Sequence, residues 1–175
     1  MSLFGWISEE TPKYDVLKTL SSTTELRRYS PQIRIRSTFA NNPGYGFRPL
    51  ARYIFGGNDQ SKYIAMTAPV LQDQKEGHET MDFVMPSDMK LEQMPKPTDS
   101  MVQIIQVPEQ DFIAIAFNGN PRSEELIKEK LQNVQRVASD ESISIEESNY
   151  ILAIYNPPWT IHYFRKNEIL IPLKN

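Results

Sequence analysis

Phe47-Arg48-Pro49-Leu50-Ala51-Arg52-Tyr53-Ile54-Phe55-Gly56-Gly57 reads as a short, sharply punctuated helix, and the fold follows from what lies on either side of it. Pro49 is expected in the first turn, where no internal N–H is lost, and Gly56-Gly57 supplies a left-handed stop. On a helical wheel Phe47, Leu50, Ala51, Tyr53, Ile54 and Phe55 cover roughly 200° of the circumference, against the ~100° stripe that one supporting sheet requires. Something besides a sheet must cover that face. A bound apolar ligand, a neighbouring subunit or a long loop of the same chain would each satisfy the pattern.

Upstream, Tyr14 to Tyr29 holds two strand candidates divided by the turn-prone Ser21-Ser22-Thr23-Thr24. Ile33 and Ile35 then alternate with Arg34, Arg36 and Thr38, which predicts a strand with one buried and one wet face, ended by Asn41-Asn42-Pro43-Gly44. Downstream, Tyr63 to Leu71 and Met81 to Met85 read as strands around the polar stretch Gln72 to Thr80, with a turn at Gly77-His78. Pro86, Pro95 and Pro97 make residues 86–100 a rigid connector.

The second half repeats this order. Met101 to Val107 and Phe112 to Phe117 alternate as a strand pair around Pro108-Glu109-Gln110-Asp111. Ser123 caps a second helix that runs to about Ala138, with Glu124 and Glu125 at its positive end and Leu126, Ile127, Leu131, Val134 and Val137 as the apolar stripe. Tyr150 to Tyr155 and Glu168 to Leu173 are the closing strands, joined through Asn156-Pro157-Pro158-Trp159. Residues 14–86 and 101–173 therefore look like a duplication, in which Tyr63 to Pro69 echoes Tyr150 to Pro157 and Phe83-Val84-Met85-Pro86 echoes Ile169-Leu170-Ile171-Pro172. Two helices flanking a pseudo-symmetric antiparallel sheet leave room for a groove between helix and sheet.

Composition narrows the function. The 175 residues suit one domain, 1–175, with residues 1–12 as an N-terminal extension. Nineteen basic and 22 acidic residues are scattered to a net charge of −3, so no basic field exists to attract nucleic acid. The lack of cysteine excludes disulfides, thiolate ligation of haem, iron–sulfur clusters and cysteine nucleophiles. No basic start precedes a long apolar run and no stretch reaches membrane-spanning length, so a cytoplasmic location is expected. Leu3, Phe4, Trp6 and Ile7 form a short apolar segment, expected to fold back on its own domain, with a membrane or partner surface as the alternative.

Several blocks in order now carry a resemblance: Gly46 to Asn58, then Ile64-Ala65-Met66-Thr67-Ala68-Pro69-Val70, then Tyr155-Asn156-Pro157-Pro158-Trp159 and Arg165-Lys166-Asn167-Glu168. From about Tyr14 to Leu173 the chain resembles the SOUL haem-binding family. The resemblance implies an α+β fold: a twisted eight-stranded antiparallel β-barrel or sheet from two pseudo-symmetric halves, each with one α-helix, similar to gyrase-inhibitor-like effector-binding domains. It also implies non-covalent binding of haem or a related porphyrin, for buffering, transport or sensing, with no assigned reaction. Carried onto matching positions, the apolar cleft falls on Phe47, Leu50, Ala51 and Ile54, with Met66 on the following strand. Arg48, Arg52 and Arg165 are the propionate candidates, since a guanidinium makes two parallel bonds to a carboxylate; solvated arginines, or pairing with Glu168, are the structural alternatives.

The axial histidine proposed for one branch of the family has no counterpart between Arg27 and Asn58. His78 belongs to a polar loop, and His162, after Pro158-Trp159, is the remaining weak candidate for a metal ligand. Met66, Tyr53 and Tyr155 carry donors that iron accepts but read first as core. The hydrolase elbow, zinc-protease motif, phosphate loop and dinucleotide fingerprint are missing, so the chain is expected not to be an enzyme. Hydrolysis of a hydrophobic small molecule, or an effector-binding or protein-interaction module, are the alternatives. The oligomeric state is left open.

Overall fold

The structure is a computed structural model and describes residues 10–75, 77–156 and 161–174, the side chain of residue 162 excepted; Trp6, and the Pro157-Pro158-Trp159 bend, lie outside the described residues. Nine antiparallel strands form one sheet: β1 (Tyr14–Thr19), β2 (Thr24–Tyr29), β3 (Gln32–Thr38), β4 (Val70–Asp73), β5 (Thr80–Val84), β6 (Gln103–Val107), β7 (Gln110–Asn118), β8 (Ile151–Ile154) and β9 (Lys166–Pro172). Two helices, α1 (Pro43–Ile54) and α2 (Glu124–Asp140), lie between β3 and β4 and between β7 and β8. The architecture is the expected α+β class, with one strand more than eight.

The sheet order β1-β2-β7-β9-β8-β4-β5-β3-β6 explains the shape. β2 and β3 stand six strand spacings apart, ~29 Å in a flat sheet. Only Ser30-Pro31 joins them, a link that reaches at most ~11 Å between the flanking Cα atoms. Pro108-Glu109 imposes the same closure on β6 and β7. The sheet has to roll into a half-barrel.

Exchanging β2 with β6, β3 with β7, β4 with β8 and β5 with β9 reproduces the strand order in reverse, so β1 is the strand outside the duplication. Phe83 to Pro86 and Ile169 to Pro172 occupy corresponding register: Asp82 faces Leu71 across one pair and Glu168 faces Ala153 across the other. Tyr63 to Pro69 is not a strand, contrary to the expectation; β8 has its counterpart in β4, which starts at Val70. Pro69 lacks an N–H for a ladder, and Thr67 turns its hydroxyl to the Val84 carbonyl at 2.5 Å instead.

Helix α1 also starts earlier than expected. Asn42 is its N-cap, accepting from the Gly44 N–H at 3.0 Å, and Pro43 takes the first helical position. The Asn41-Asn42-Pro43-Gly44 break is thus a helix start, and Pro49 lies inside the helix rather than in its first turn. Gly56 ends it at φ +97°, as anticipated. α2 begins at the expected cap, with Ser123 Oγ accepting from the Leu126 N–H at 3.3 Å.

Both helices pack on the outer face of the sheet. Ile35, Met81 and Phe83 meet α1, while Ile113, Ile115 and Ile169 meet α2. The inner face holds a third cluster that includes Tyr29, Leu71, Val84, Phe112 and Leu170. The alternation in β3 accordingly does not separate buried from wet: Arg34 is only 6% exposed, because the rolled sheet encloses its inner face.

Candidate functional site

The wide apolar arc of α1 is covered by the chain itself. Leu50, Tyr53 and Ile54 are 0%, 0% and 1% exposed, in one cluster with Ile64, Met94 and Val102 from the following loops. The 86–102 connector is fastened across them by the Tyr53 hydroxyl, which donates to the Pro95 carbonyl at 2.6 Å. Leu50 and Ile54 therefore present no surface to a guest. Met66 is half-buried and packs on the same cluster.

One flank escapes this cover. Phe47 and Phe55 are 38% and 46% exposed, with half-buried Ala51 between them. Spaced at i, i+4 and i+8, they form an apolar strip ~12 Å long, in which the small Ala51 lets a flat body approach the backbone. The Phe47 ring rests on Phe83, centroids 5.3 Å apart at 62°, which holds it against the sheet. Arg48 and Arg52, both exposed, form the adjoining strip one turn apart. Arg52 lies 4.0 Å from Asp99, a loose and largely solvated pair.

The other sequence candidates separate from this group. Arg165 precedes β9 in the second half of the chain, where its carbonyl accepts from the Gly119 N–H at 3.2 Å. Glu168, its envisaged alternative partner, is instead engaged by Arg27. His162 opens the 3-10 turn His162–Phe164, and its side chain lies outside the described residues. His78 is exposed in its loop. Burial pushes the Tyr53 phenol up to about 12, and that hydroxyl is already spent on Pro95. Tyr155 donates to Glu168; burial first, and the Glu168 charge second, raise its phenol well above the ordinary range. Among the described residues no group of three or more His, Cys, Asp or Glu can hold a metal ion.

The inner face carries polar groups that periodicity alone had left in water. Asp82 and Glu168, 3% and 2% exposed, are the pseudo-symmetric carboxylates. Arg36 grips Asp82 through two bonds of 2.7 and 2.9 Å, and Arg34 adds a third at 3.2 Å. Arg27 meets Glu168 at 2.6 Å, Glu25 at 2.7 Å and the Tyr29 hydroxyl at 2.9 Å. Ala114 and Ala116 on the intervening β7 leave Arg27 the space to reach over that strand to β9. A sequence signal existed: each acid stands immediately before apolar strand residues, Phe83-Val84 and Ile169-Leu170-Ile171.

A cavity of about 490 Å³ opens at the corner where the two short links close the sheet. Ile33, Val84, Met85, Met89 and Val107 contribute its apolar wall, and residues 10–13 cross it as a strap. It contains none of the sequence-predicted site residues.

A half-barrel with a helix on each half of its outer face is an effector-binding type of fold. The C-terminal domain of EcmrR is similar to it at a TM-score of 0.64 and 10% identity, over 87% of this chain and 97% of that domain. A structure described as a hydrolase from Listeria innocua is similar at 0.61 and 12% identity, over 87% and 92%. These likenesses show the fold alone. A family model described as SOUL heme-binding protein matches residues 9–172, and the chain belongs to that family. Heme-binding protein 2 from Homo sapiens is 28% identical over 137 residues, 74% of this chain and 65% of the human protein, so the match spans just under two thirds of that relative. No helix among the described residues is long and apolar enough to cross a membrane.

Proposed function

We propose that this chain binds haem or a related tetrapyrrole, non-covalently and for buffering, transport or sensing, on the outer flank of α1. The observation that carries the reading is the exposed strip Phe47-Ala51-Phe55 beside Arg48 and Arg52. A macrocycle lying on the strip buries an apolar face, worth ~25 cal/mol per Å² removed from water. Its two carboxylates then meet two guanidiniums one helical turn apart. Leu50 and Ile54 support the strip from beneath rather than touching the guest. Membership of a family described as haem-binding supports the choice of ligand.

No described side chain on this flank is a histidine, so burial and the arginines supply the affinity and iron is secondary. Binding without covalent chemistry also accords with the buried carboxylates: Asp82 and Glu168 are both held by arginines rather than offered to a groove as free acids.

Titration with haemin and with metal-free protoporphyrin, followed at the Soret band, tests the reading. Both are expected to bind saturably, one per chain, with similar affinity. Phe47→Asp and the double variant Arg48→Glu/Arg52→Glu are each expected to weaken binding about tenfold or more, a change of ~1.4 kcal/mol, with the melting temperature nearly unchanged. Absence of saturable binding, or affinity indifferent to both variants, overturns the site.

A further inference from the structure

We propose that the cavity at the sheet corner is the seat of the chain's own N-terminal segment, with Trp6 as the plug. The cavity is built where that segment arrives. Glu10 is held at the rim twice: its carbonyl accepts from the Ala68 N–H at 3.1 Å, and its carboxylate accepts from the Ser87 N–H at 2.8 Å. The strap continues to Lys13, whose carbonyl accepts from the Ser30 N–H at 3.1 Å, so residues 10–13 bridge the β4–β5 side to the β2–β3 corner. The direction and starting point of the preceding residues are thereby set.

What precedes Glu10 matches the wall. Leu3, Phe4, Trp6 and Ile7 place four large apolar side chains within five residues. Trp6 stands four residues from the rim, so its Cα lies within ~14 Å of that of Glu10 and its ring reaches the cavity without unfastening the strap. The volume of about 490 Å³ is of a size to receive an aromatic plug with a neighbouring side chain. Met85 and Met89 supply flexible thioethers, which adapt to an aromatic edge. Gln106 and Val107 belong to β6, a strand without a charged residue at the end of the sheet, and a plug here covers part of that edge. The occupant comes from the same chain, which distinguishes this cavity from the α1 flank.

The full-length protein, labelled at the methionine methyls, tests this directly. Nuclear Overhauser cross-peaks are expected from the Trp6 indole protons to the methyls of Met85 and Met89. In Trp159→Phe, which leaves Trp6 as the one tryptophan, emission is expected to be blue-shifted from free indole and several-fold less quenched by acrylamide. Val107→Asp charges the wall and is expected to abolish the cross-peaks and shift the emission to the red, whereas Phe47→Asp on the α1 flank leaves both unchanged. Missing cross-peaks to both methionines overturn the proposal, as do cross-peaks undiminished in Val107→Asp. Should Val107→Asp fail to fold, the cross-peaks of the parent protein decide the matter alone.

Discussion

α1 and α2 occupy corresponding places on the two halves of one sheet, yet they meet solvent in different ways. α2 follows the amphipathic rule: Ile127, Val134 and Ala138 are buried while Lys128, Glu129, Gln132, Gln135 and Arg136 face water. α1 buries Leu50, Tyr53 and Ile54 as fully, but its outer flank keeps Phe47 and Phe55 beside Arg48 and Arg52. Duplication preserved the packing against the sheet and left the outward residues to diverge. An element with the same structural duty in both halves can therefore carry a recognition surface in only one.

The inner face supplies the severest test of that equivalence. Removing one member of a buried ion pair strands the other, at a cost of ~3–5 kcal/mol. Glu168→Ala strands Arg27, and Asp82→Ala strands Arg34 with part-exposed Arg36, so comparable losses are expected by urea denaturation, the Asp82 loss no smaller. A loss under ~1 kcal/mol at either position breaks the equivalence of the two carboxylates.

Next in size is the contrast within α1. Leu50→Ala is expected to cost ~2–5 kcal/mol of stability, since that side chain is sealed on every side. Phe47→Ala, at a position 38% exposed, is expected to cost clearly less stability while weakening porphyrin binding more. Equal destabilisation by the two substitutions would make the flank ordinary core. The smallest effect sharpens the symmetry of the helix starts: Asn42→Ala and Ser123→Ala each remove one capping acceptor and are expected to lower stability by ~1 kcal/mol in thermal unfolding.

Much of the fold was legible because its signals are local. The strand pair around Pro108, the cap at Ser123 and the glycine stop at Gly56 each depend on a few neighbouring residues. Where local signals competed, the reading slipped. Asn42-Pro43 served equally as a turn and as a cap followed by a first helical proline, and the register of packing decided for the helix. Tyr63 to Pro69 has the apolar content of a strand, but Pro69 and the Thr67 bond to Val84 remove it from the ladder.

The candidate site was legible only in part. Phe47, Ala51, Arg48 and Arg52 come together on one flank, whereas Leu50 and Ile54 lie under it and Phe55 had not been carried into the binding set. A helical wheel gives the directions of these side chains and is silent on the loop that Tyr53 fastens to Pro95. Phe55 closes the strip because its cover stops one turn short, a fact of loop path rather than of periodicity.

The chain's own residues determined the elements, their order, their duplication and the exclusion of cysteine and nucleic-acid chemistry. Tertiary structure alone decided that Arg34 is dry, that Asp82 and Glu168 are paired inside the roll, and that α1 is sealed on one flank and open on the other. Periodicity specifies the side from which a residue leaves the backbone, but burial depends on what stands opposite. In this molecule that is set by two short links which force the ends of the sheet together.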